Sequence, residues 1–469
     1  MTTARIRGAA GLALLLLCVA NFLDAMDVST IGVALPAIQT ELGLAPTSLQ
    51  WAVSAYVLGY GGFLLLGGKV ADIYGHRRVF LWSLAVFGVA SLAGFFVDNG
   101  VTLIAARLIK GIAAAFTAPA AVALMLSVFT EREARAKALG IFASTSAAGF
   151  VLGLVLGGAM TIISWRATLV MAGPVALLVL AISPFALPAD KPRTGERHSF
   201  DWAGAITITP GLLLFVFGIT NAAMQGWEAP LTWGSLVAAV VLVTLFLWVE
   251  SRHGDPMVPL SFFKRAKVTH AVIVAFLFQG SYVAFQFVAT LYYQDVLGWS
   301  PLITGAGFAI GGASVMFLAP RFAGLAARTG TTRLMTIGAG LLMLGYVFWA
   351  ATLGNIDPVV MVVVSQLLMG LGYASIFPSV QVAALADIEE EKSGLASGLL
   401  FASFQIGGGV VLAVISAVFA AAPAAGWSTY GAGAAAVAVL SVGVTLVAAL
   451  GPRVRRASRT MEMAPQAAE

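Results

Sequence analysis

Long apolar stretches separated by short polar segments make up most of this chain of 469 residues. A helix needs about 20 apolar residues to cross the hydrocarbon core of a bilayer, and fourteen stretches are close to or above that length. Each is therefore predicted to form a membrane-spanning α-helix. The predicted spans lie at residues 9–36, 48–70, 79–97, 101–126, 138–163, 167–187, 202–224, 231–250, 269–291, 300–320, 333–353, 358–384, 394–420 and 429–450.

Composition supports this interpretation and excludes several classes of protein. Hydrophobic residues account for 60% of the chain and charged residues for only 10%, whereas soluble proteins average about 25% charged residues. No long polar block is present, so neither a soluble catalytic domain nor an enzyme is expected. The single cysteine, Cys18, and four scattered histidines form no ligand cluster, so no metal or other cofactor is expected. The basic residues are spread over short loops, which does not fit nucleic-acid binding.

The basic residues also predict the orientation, because loops rich in Lys and Arg stay on the cytoplasmic side of a membrane. With the N-terminus inside, 23 of the 26 Lys and Arg residues fall in cytoplasmic segments. The outer loops carry Arg166 alone, and Arg107 and Lys110 lie within the fourth span. We therefore expect a multi-pass protein with both termini in the cytoplasm. The first apolar run is too long for a signal peptide, so we expect it to remain as a span.

The spans predict an all-α protein with two six-helix halves. The halves are residues 1–190 and 265–450, and an inserted pair of spans with its flanking loops occupies 191–264. Residues 451–469 lack periodicity and are predicted to form a disordered cytoplasmic tail.

A weak repeat relates the two halves. Aligning Gly75, after the second span, with Gly330, after the tenth, places Arg78 on Arg333. Duplicated helical halves with a binding site between them are typical of secondary transporters. The repeat therefore favours transport over other membrane functions.

One cytoplasmic loop carries a recognisable pattern. The stretch from Gly68 to Arg78 resembles the loop signature of the major facilitator superfamily, G-x-L-a-D-r-x-G-r-[RK], with Ile73 where Arg is usual. Gly75 permits a tight turn, and Asp72 can pair with nearby basic residues or cap a helix. The resemblance implies a major facilitator fold and a loop that helps to switch conformation. The residues carried over to this conformational-switch loop are Gly68, Asp72, Gly75, Arg77 and Arg78.

Three further stretches narrow the resemblance to the fourteen-helix drug/proton antiporter branch of that superfamily. Met26–Pro36 is similar to its first-helix motif, L-D-x-T-I-V-N-V-A-L-P, and Leu103–Gly111 to its fourth-helix motif, with Lys110 where Gln is usual. The fifth-helix antiporter motif is matched except that Leu154 replaces its proline. Small residues repeated on one helix face favour close packing of helices. The glycines of this motif are Gly149, Gly153, Gly157 and Gly158.

Four ionisable residues inside predicted spans are the candidates for transport and proton coupling, because buried charge in a membrane is costly and marks pathways. Asp24 and Asp27 lie three residues apart on one face of the first span. Two close carboxyls disfavour double ionisation, which suits one of them to carry a proton. Arg107 and Lys110 have the same spacing on the fourth span. Asp27 and Lys110 each lie about 13 Å below the outer end of their span, so the acids are at about the depth of the bases, and we expect an acid to pair with a base across these spans.

The sequence leaves the roles within this cluster open. Asp27 belongs to the first-helix motif and Asp24 does not, so Asp27→Asn is expected to abolish proton-driven export while leaving the protein folded. Arg107 and Lys110 can serve transport directly or form a fixed ion pair that holds helices together, and these roles are compatible. Uncharged polar residues that can line a pathway or bond between helices are Gln279, Gln286, Gln366 and Gln405.

The resemblance implies a proton-coupled secondary transporter of the bacterial inner (plasma) membrane that exports small amphipathic or lipophilic compounds by alternating access. The expected partners are a small-molecule substrate, protons and membrane lipids, and a monomer is expected. An alternative is an exporter of one endogenous metabolite, neutral or anionic, because Lys110 adds a cation that disfavours cationic drugs. A receptor, channel or assembly protein fits the motifs less well. The chain has no Walker A sequence, so nucleotide hydrolysis by that route is not expected.

Overall fold

A computed structural model of the protein describes residues 3–190, 202–252, 260–385, 388 and 393–451. Within these ranges all regular secondary structure is helical, which confirms the predicted all-α class. The predicted tail and the loops on either side of the inserted pair lie largely outside the described residues.

Fourteen α-helices of at least 15 residues run through the described part of the chain, joined by short turns and single-turn helices. Their bounds are α1 Thr3–Leu42, α2 Trp51–Tyr74, α3 His76–Ala93, α4 Gly100–Val128, α5 Arg132–Ile163, α6 Ala172–Ala186, α7 Trp202–Gln225, α8 Pro230–Arg252, α9 Ala266–Leu291, α10 Pro301–Thr329, α11 Thr331–Thr352, α12 Pro358–Leu385, α13 Ser393–Ala421 and α14 Thr429–Ala449.

The predicted count of fourteen membrane spans is not confirmed. Twelve described helices are long and apolar enough to cross a membrane, and a thirteenth span results if the bent α2 is counted. That helix, with the turn before it, bends by 52° between Leu64 and Leu66. The remaining helix, α7, contributes only a shorter apolar segment, Ile206–Ala222. The multi-pass character of the chain is clear, and all twelve spans coincide with predicted ones.

The same helix pairings occur in both six-helix sets. In the first set α1 packs against α5 and α2 against α4, and in the second α9 packs against α13 and α10 against α12. The links between the second and third helices also match, because Gly75 and Gly330 have φ values of +100° and +96°. Only glycine adopts such angles without strain, so these two turns explain the repeat seen in the sequence.

The two sets meet along two helix pairs, α5 with α10 and α2 with α13. Glycine permits the first contact, since a Cβ atom on Gly158 would lie 2.5 Å from the carbonyl oxygen of Pro301. The inserted helices α7 and α8 pack against each other, and α7 also contacts both α2 and α13. Helix α7 therefore covers the line where α2 and α13 join.

Candidate functional site

Glycines on α5 hold α1, with its two acids, close against the bundle. A Cβ atom on Gly149 would lie 2.5 Å from the carbonyl oxygen of Phe22, and one on Gly153 would lie 2.7 Å from that of Met26. Gly157 continues the same close contact one turn further along. The antiporter-motif glycines thus fix the backbone of α1 at the height of Asp24 and Asp27.

Asp27 is the centre of a buried ion-paired cluster between α1 and α4. One of its carboxylate oxygens accepts a hydrogen bond from a terminal guanidinium nitrogen of Arg107, and the other accepts one from Nζ of Lys110. Only 2% of Asp27, 1% of Arg107 and none of Lys110 is exposed. The expected pairing between the first and fourth spans is therefore present, with one acid engaging both bases.

The two cations have further partners that replace water. Nε of Arg107 donates to the carbonyl oxygen of Ala52 at 2.7 Å, and its guanidinium lies 4.5 Å from the ring centroid of Tyr56. Nζ of Lys110 donates to the carbonyl oxygen of Leu169 at 3.1 Å and lies 5.0 Å from the ring centroid of Phe87. Carbonyl and aromatic contacts of this kind lower the penalty of burying a cation.

Asp24 occupies a different position in the same cluster. Only 6% of Asp24 is exposed, yet no donor in the described part of the chain reaches its Oδ2. It interacts electrostatically with Asp27 and Lys110 without forming an ion pair of its own among the described residues. The hydroxyl of Tyr56, also buried, likewise has no hydrogen-bond partner there. Asp24 is thus the acid of this cluster that keeps a free oxygen.

A small cavity lies at the junction of the two helix sets, and its wall on α1 begins at Val28, four residues after Asp24. Its volume is about 30 Å³, which is enough for water and far below the roughly 300 Å³ or more of sites for drug-sized ligands. Its walls come from α1, α2, α5, α9 and α13 and contain no ionisable side chain. The lining residues are Val28, Gly32, Leu35, Val53, Val57, Phe150, Gln279, Val283, Gln286, Phe287, Gln405 and Gly408.

Asp24 lies on the cavity-facing side of α1. The α1 residues that line the cavity are Val28, Gly32 and Leu35, and at 100° per residue they fall within about 80° of Asp24. Asp27 lies about 60° to the other side, toward α4. Asp24 is therefore about one turn, or 6 Å along the axis, from the cavity wall at Val28.

Three of the four glutamines singled out in the sequence line this cavity, and one does not. Gln279 also accepts a hydrogen bond from the hydroxyl of Tyr373 at 3.1 Å. Gln366 is fully buried against Gly311, and neither of its amide atoms has a partner among the described residues. The glutamines thus separate into a cavity group and a packing residue on α12.

The conformational-switch loop lies at the opposite end of α2 from Ala52, about 30 Å from the cluster. Asp72 pairs with His76 at 2.9 Å, and it does not cap α3. That cap comes from Asp190, whose carboxylate accepts the backbone N–H groups of Arg77 at 2.9 Å and Arg78 at 3.2 Å. Asp190 was not predicted as a cap, because in the sequence it is only an isolated acid after the sixth predicted span.

The family to which the chain belongs shows which class of protein carries this site. The family described as the Major Facilitator Superfamily matches residues 17–412. The chain belongs to the major facilitator superfamily. As in this family of transporters generally, a small molecule is the substrate.

Relatives of this facilitator include resistance and export proteins, as the drug/proton antiporter branch implies. The chain is 33% identical over 431 residues to the puromycin resistance protein of Streptomyces alboniger, covering 90% of this chain and 84% of the relative. It is also 33% identical over 461 residues to the cephamycin export protein of Amycolatopsis lactamdurans, covering 95% and 93%.

Solved structures support the fold of this facilitator. A crystal structure of a POT family transporter aligns with a TM-score of 0.69 at 15% identity, covering 93% of this chain and 97% of that one. At this identity the likeness concerns the fold alone.

Proposed function

We propose that this facilitator is a proton-coupled exporter of small amphipathic or lipophilic compounds that works by alternating access. The observation that carries the proposal is the buried oxygen of Asp24, which has no partner among the described residues and lies on the same helix as the ion-paired Asp27. The resistance and export relatives support the direction of transport. We further propose a monomer with fourteen spans in the bacterial inner membrane, both termini being cytoplasmic.

Within the cluster, Asp27 acts as the fixed partner of the two cations. Both of its oxygens are engaged, by Arg107 and by Lys110. Protonation of Asp27 would leave buried positive charge uncompensated, and removing one partner of a buried pair costs about 3–5 kcal/mol. Asp27 therefore serves as the fixed carboxylate that holds α1 to α4.

Asp24 is the acid that exchanges the proton. Adding a proton to its free oxygen breaks no ion pair, since Asp24 has none among the described residues. Its position one turn from the cavity wall allows a proton or a substrate group to reach it. The summed charge of Asp24, Asp27, Arg107 and Lys110 then alternates between zero and +1. This division of roles differs from the expectation that the motif acid, Asp27, carries the proton.

The cycle follows from two conformations of the helix sets. With the site open to the cytoplasm, substrate enters between the sets while Asp24 releases its proton inward. After the sets rock, Asp24 takes up a proton from the outside and the substrate leaves. On the predicted outer side the two helix sets are in contact, since Nε2 of Gln294 donates to the carbonyl oxygen of Val33 at 2.8 Å. The cavity must widen for a compound larger than water to bind.

The remaining motif residues support this movement in the proposal. Amide groups of Gln279, Gln286 and Gln405 supply hydrogen bonds to the substrate. The loop residues Gly68, Asp72, Gly75, Arg77 and Arg78 bias the equilibrium between conformations. The antiporter-motif glycines Gly149, Gly153 and Gly157 keep α1 and α5 together as one packed unit, and Gly158 lets that unit approach α10 closely.

The alternative, an exporter of one endogenous metabolite that is neutral or anionic, is distinguishable by experiment. It rested on Lys110 repelling cations, but Lys110 is fully buried, engaged by Asp27 and absent from the cavity lining. An anionic compound would instead need a cation in the cavity wall.

Flux in proteoliposomes tests the proposed function. Protein is reconstituted, puromycin or cephamycin is supplied on one side, and accumulation is followed with and without an imposed proton gradient. Saturable accumulation of puromycin that collapses when a protonophore is added supports the proposal. Gradient-driven accumulation of cephamycin alone supports the metabolite exporter, and non-saturable flux contradicts both.

A further inference from the structure

A groove on the surface beside the conformational-switch loop is lined by charged residues to which the transport proposal assigns no ligand. It lies between the start of α3 and the end of α6 and has a volume of about 610 Å³. Arg77, Arg78 and Asp190 line its polar end, and Leu81, Ala85 and Leu180 line its apolar part. The groove is therefore amphipathic along its length, like a phospholipid.

The polarity of α3 changes along the helix as it does from the surface to the core of a bilayer. Arg78 is exposed in the first turn, and Trp82 is 69% exposed one turn, or about 6 Å, further on. Val86 and Val89 follow on the same exposed side. Arginine at headgroup depth, tryptophan at the interface and aliphatic side chains below are the arrangement expected of a helix in contact with lipid.

Charge at the polar end favours an anionic headgroup. The single acid there, Asp190, has both carboxylate oxygens occupied by backbone N–H groups at the start of α3. One guanidinium nitrogen of Arg77 donates to the carbonyl oxygen of Pro184 at 2.5 Å, which leaves its remaining donors available. Two guanidinium groups against one carboxylate leave a net charge of +1, which matches a phosphodiester.

We propose that this groove binds one anionic phospholipid, with its phosphate between Arg77 and Arg78 and an acyl chain along Leu81, Ala85 and Leu180. Arginine suits phosphate because its planar guanidinium donates two parallel hydrogen bonds. A free phosphate ion would use the arginines but leave the apolar walls and Trp82 uncovered. The bound lipid would link α3 to α6 beside the conformational-switch loop.

Native mass spectrometry of the full-length protein tests the proposal with two lipids, dioleoyl phosphatidylglycerol and dioleoyl phosphatidylcholine. The wild type should retain one phosphatidylglycerol in preference to phosphatidylcholine. Arg78→Gln should weaken that retention about fivefold, because one basic residue near a membrane surface contributes about 1 kcal/mol to binding of anionic lipid. Ala85→Phe, which fills the groove and keeps every charge, should weaken it as well.

The matched control is Arg252→Gln on α8. Arg252 is an exposed arginine beside an exposed tryptophan, but its guanidinium is already stacked 4.4 Å from the ring centroid of Trp248. Arg252→Gln removes one positive charge, as Arg78→Gln does, but it should leave the retention of lipid unchanged. Equal retention of both lipids by the wild type would overturn the proposal. So would unchanged retention in Arg78→Gln and Ala85→Phe, or displacement of the lipid by glycerol 3-phosphate at equal concentration.

Discussion

Asp27→Asn should destabilise the protein far more than Asp24→Asn. Each variant removes one buried carboxylate, and the two positions are only three residues apart on α1. The first change withdraws the partner of two buried cations, and breaking a buried pair costs about 3–5 kcal/mol. The loss stays within that range because Arg107 keeps the carbonyl oxygen of Ala52 and Lys110 keeps that of Leu169. Folded domains are stable by only about 5–15 kcal/mol, so this is a large fraction.

The matched change, Asp24→Asn, removes no ion pair and replaces an oxygen that no described donor reaches. Its effect on stability should not exceed about 1 kcal/mol. Thermal unfolding of fluorescent fusions in detergent, followed by size-exclusion chromatography, measures both variants against the wild type. Asp27→Asn should unfold several degrees lower.

A second variant checks the electrostatic cause. Asp27→Asn combined with Lys110→Met should be more stable than Asp27→Asn alone, because only one buried cation then lacks a partner. If Asp27→Asn unfolds at the same temperature as Asp24→Asn, the ion-paired cluster does not hold α1 to α4, and the reasoning fails. The structure thus changes the expectation that Asp27→Asn leaves a fully folded protein.

Three further predictions concern packing, capping and topology. Gly153→Ala should lower the free energy of unfolding by about 1–3 kcal/mol and reduce export, because the new Cβ would lie 2.7 Å from the Met26 carbonyl oxygen. Its control, Gly340→Ala on α11, places a Cβ with nothing within 4 Å and should be neutral or stabilising. Equal melting temperatures of the two variants would contradict this prediction. Asp190→Ala should lower the free energy of unfolding by about 1 kcal/mol, because it removes the cap of α3. Asp72→Ala should lower it by about 0.5 kcal/mol or less, because the pair of Asp72 with His76 is exposed. Thermal unfolding measures both variants against the wild type. Of single cysteines placed at Gly195 and Ala229, only the one at Ala229 should be labelled by an impermeant reagent added to sealed cells. Labelling at Gly195 would contradict the predicted topology.

Apolar length was sufficient to predict nearly every helix, because a membrane span must satisfy its backbone hydrogen bonds internally. It could not fix the number of spans. The bend of α2 between Leu64 and Leu66 divides one apolar run, and Ile206–Ala222 is short for a crossing. The bend in α2 and the short length of this apolar segment depend on local geometry, which the average hydrophobicity of a stretch does not predict.

The charge cluster was predictable because depth along a helix follows from residue number alone. Counting residues placed the acids of α1 level with the bases of α4, and Asp27 does meet both bases. Which acid stays free was not predictable, because it depends on rotation of α1 against α4. Asp190 as the cap of α3 was also beyond sequence reasoning, since Asp190 and Arg77 are 113 residues apart.

Proton coupling at Asp24 is tested most directly by comparing two transport modes in proteoliposomes that contain the wild type, Asp24→Asn or Asp24→Glu. One mode is accumulation of the transported compound driven by a proton gradient, and the other is exchange of labelled for unlabelled compound at equal pH. Asp24→Asn should lose accumulation and keep exchange, because exchange needs no proton movement, and Asp24→Glu should recover part of the accumulation. Wild-type accumulation by Asp24→Asn would contradict the assignment of Asp24 as the proton-exchanging acid.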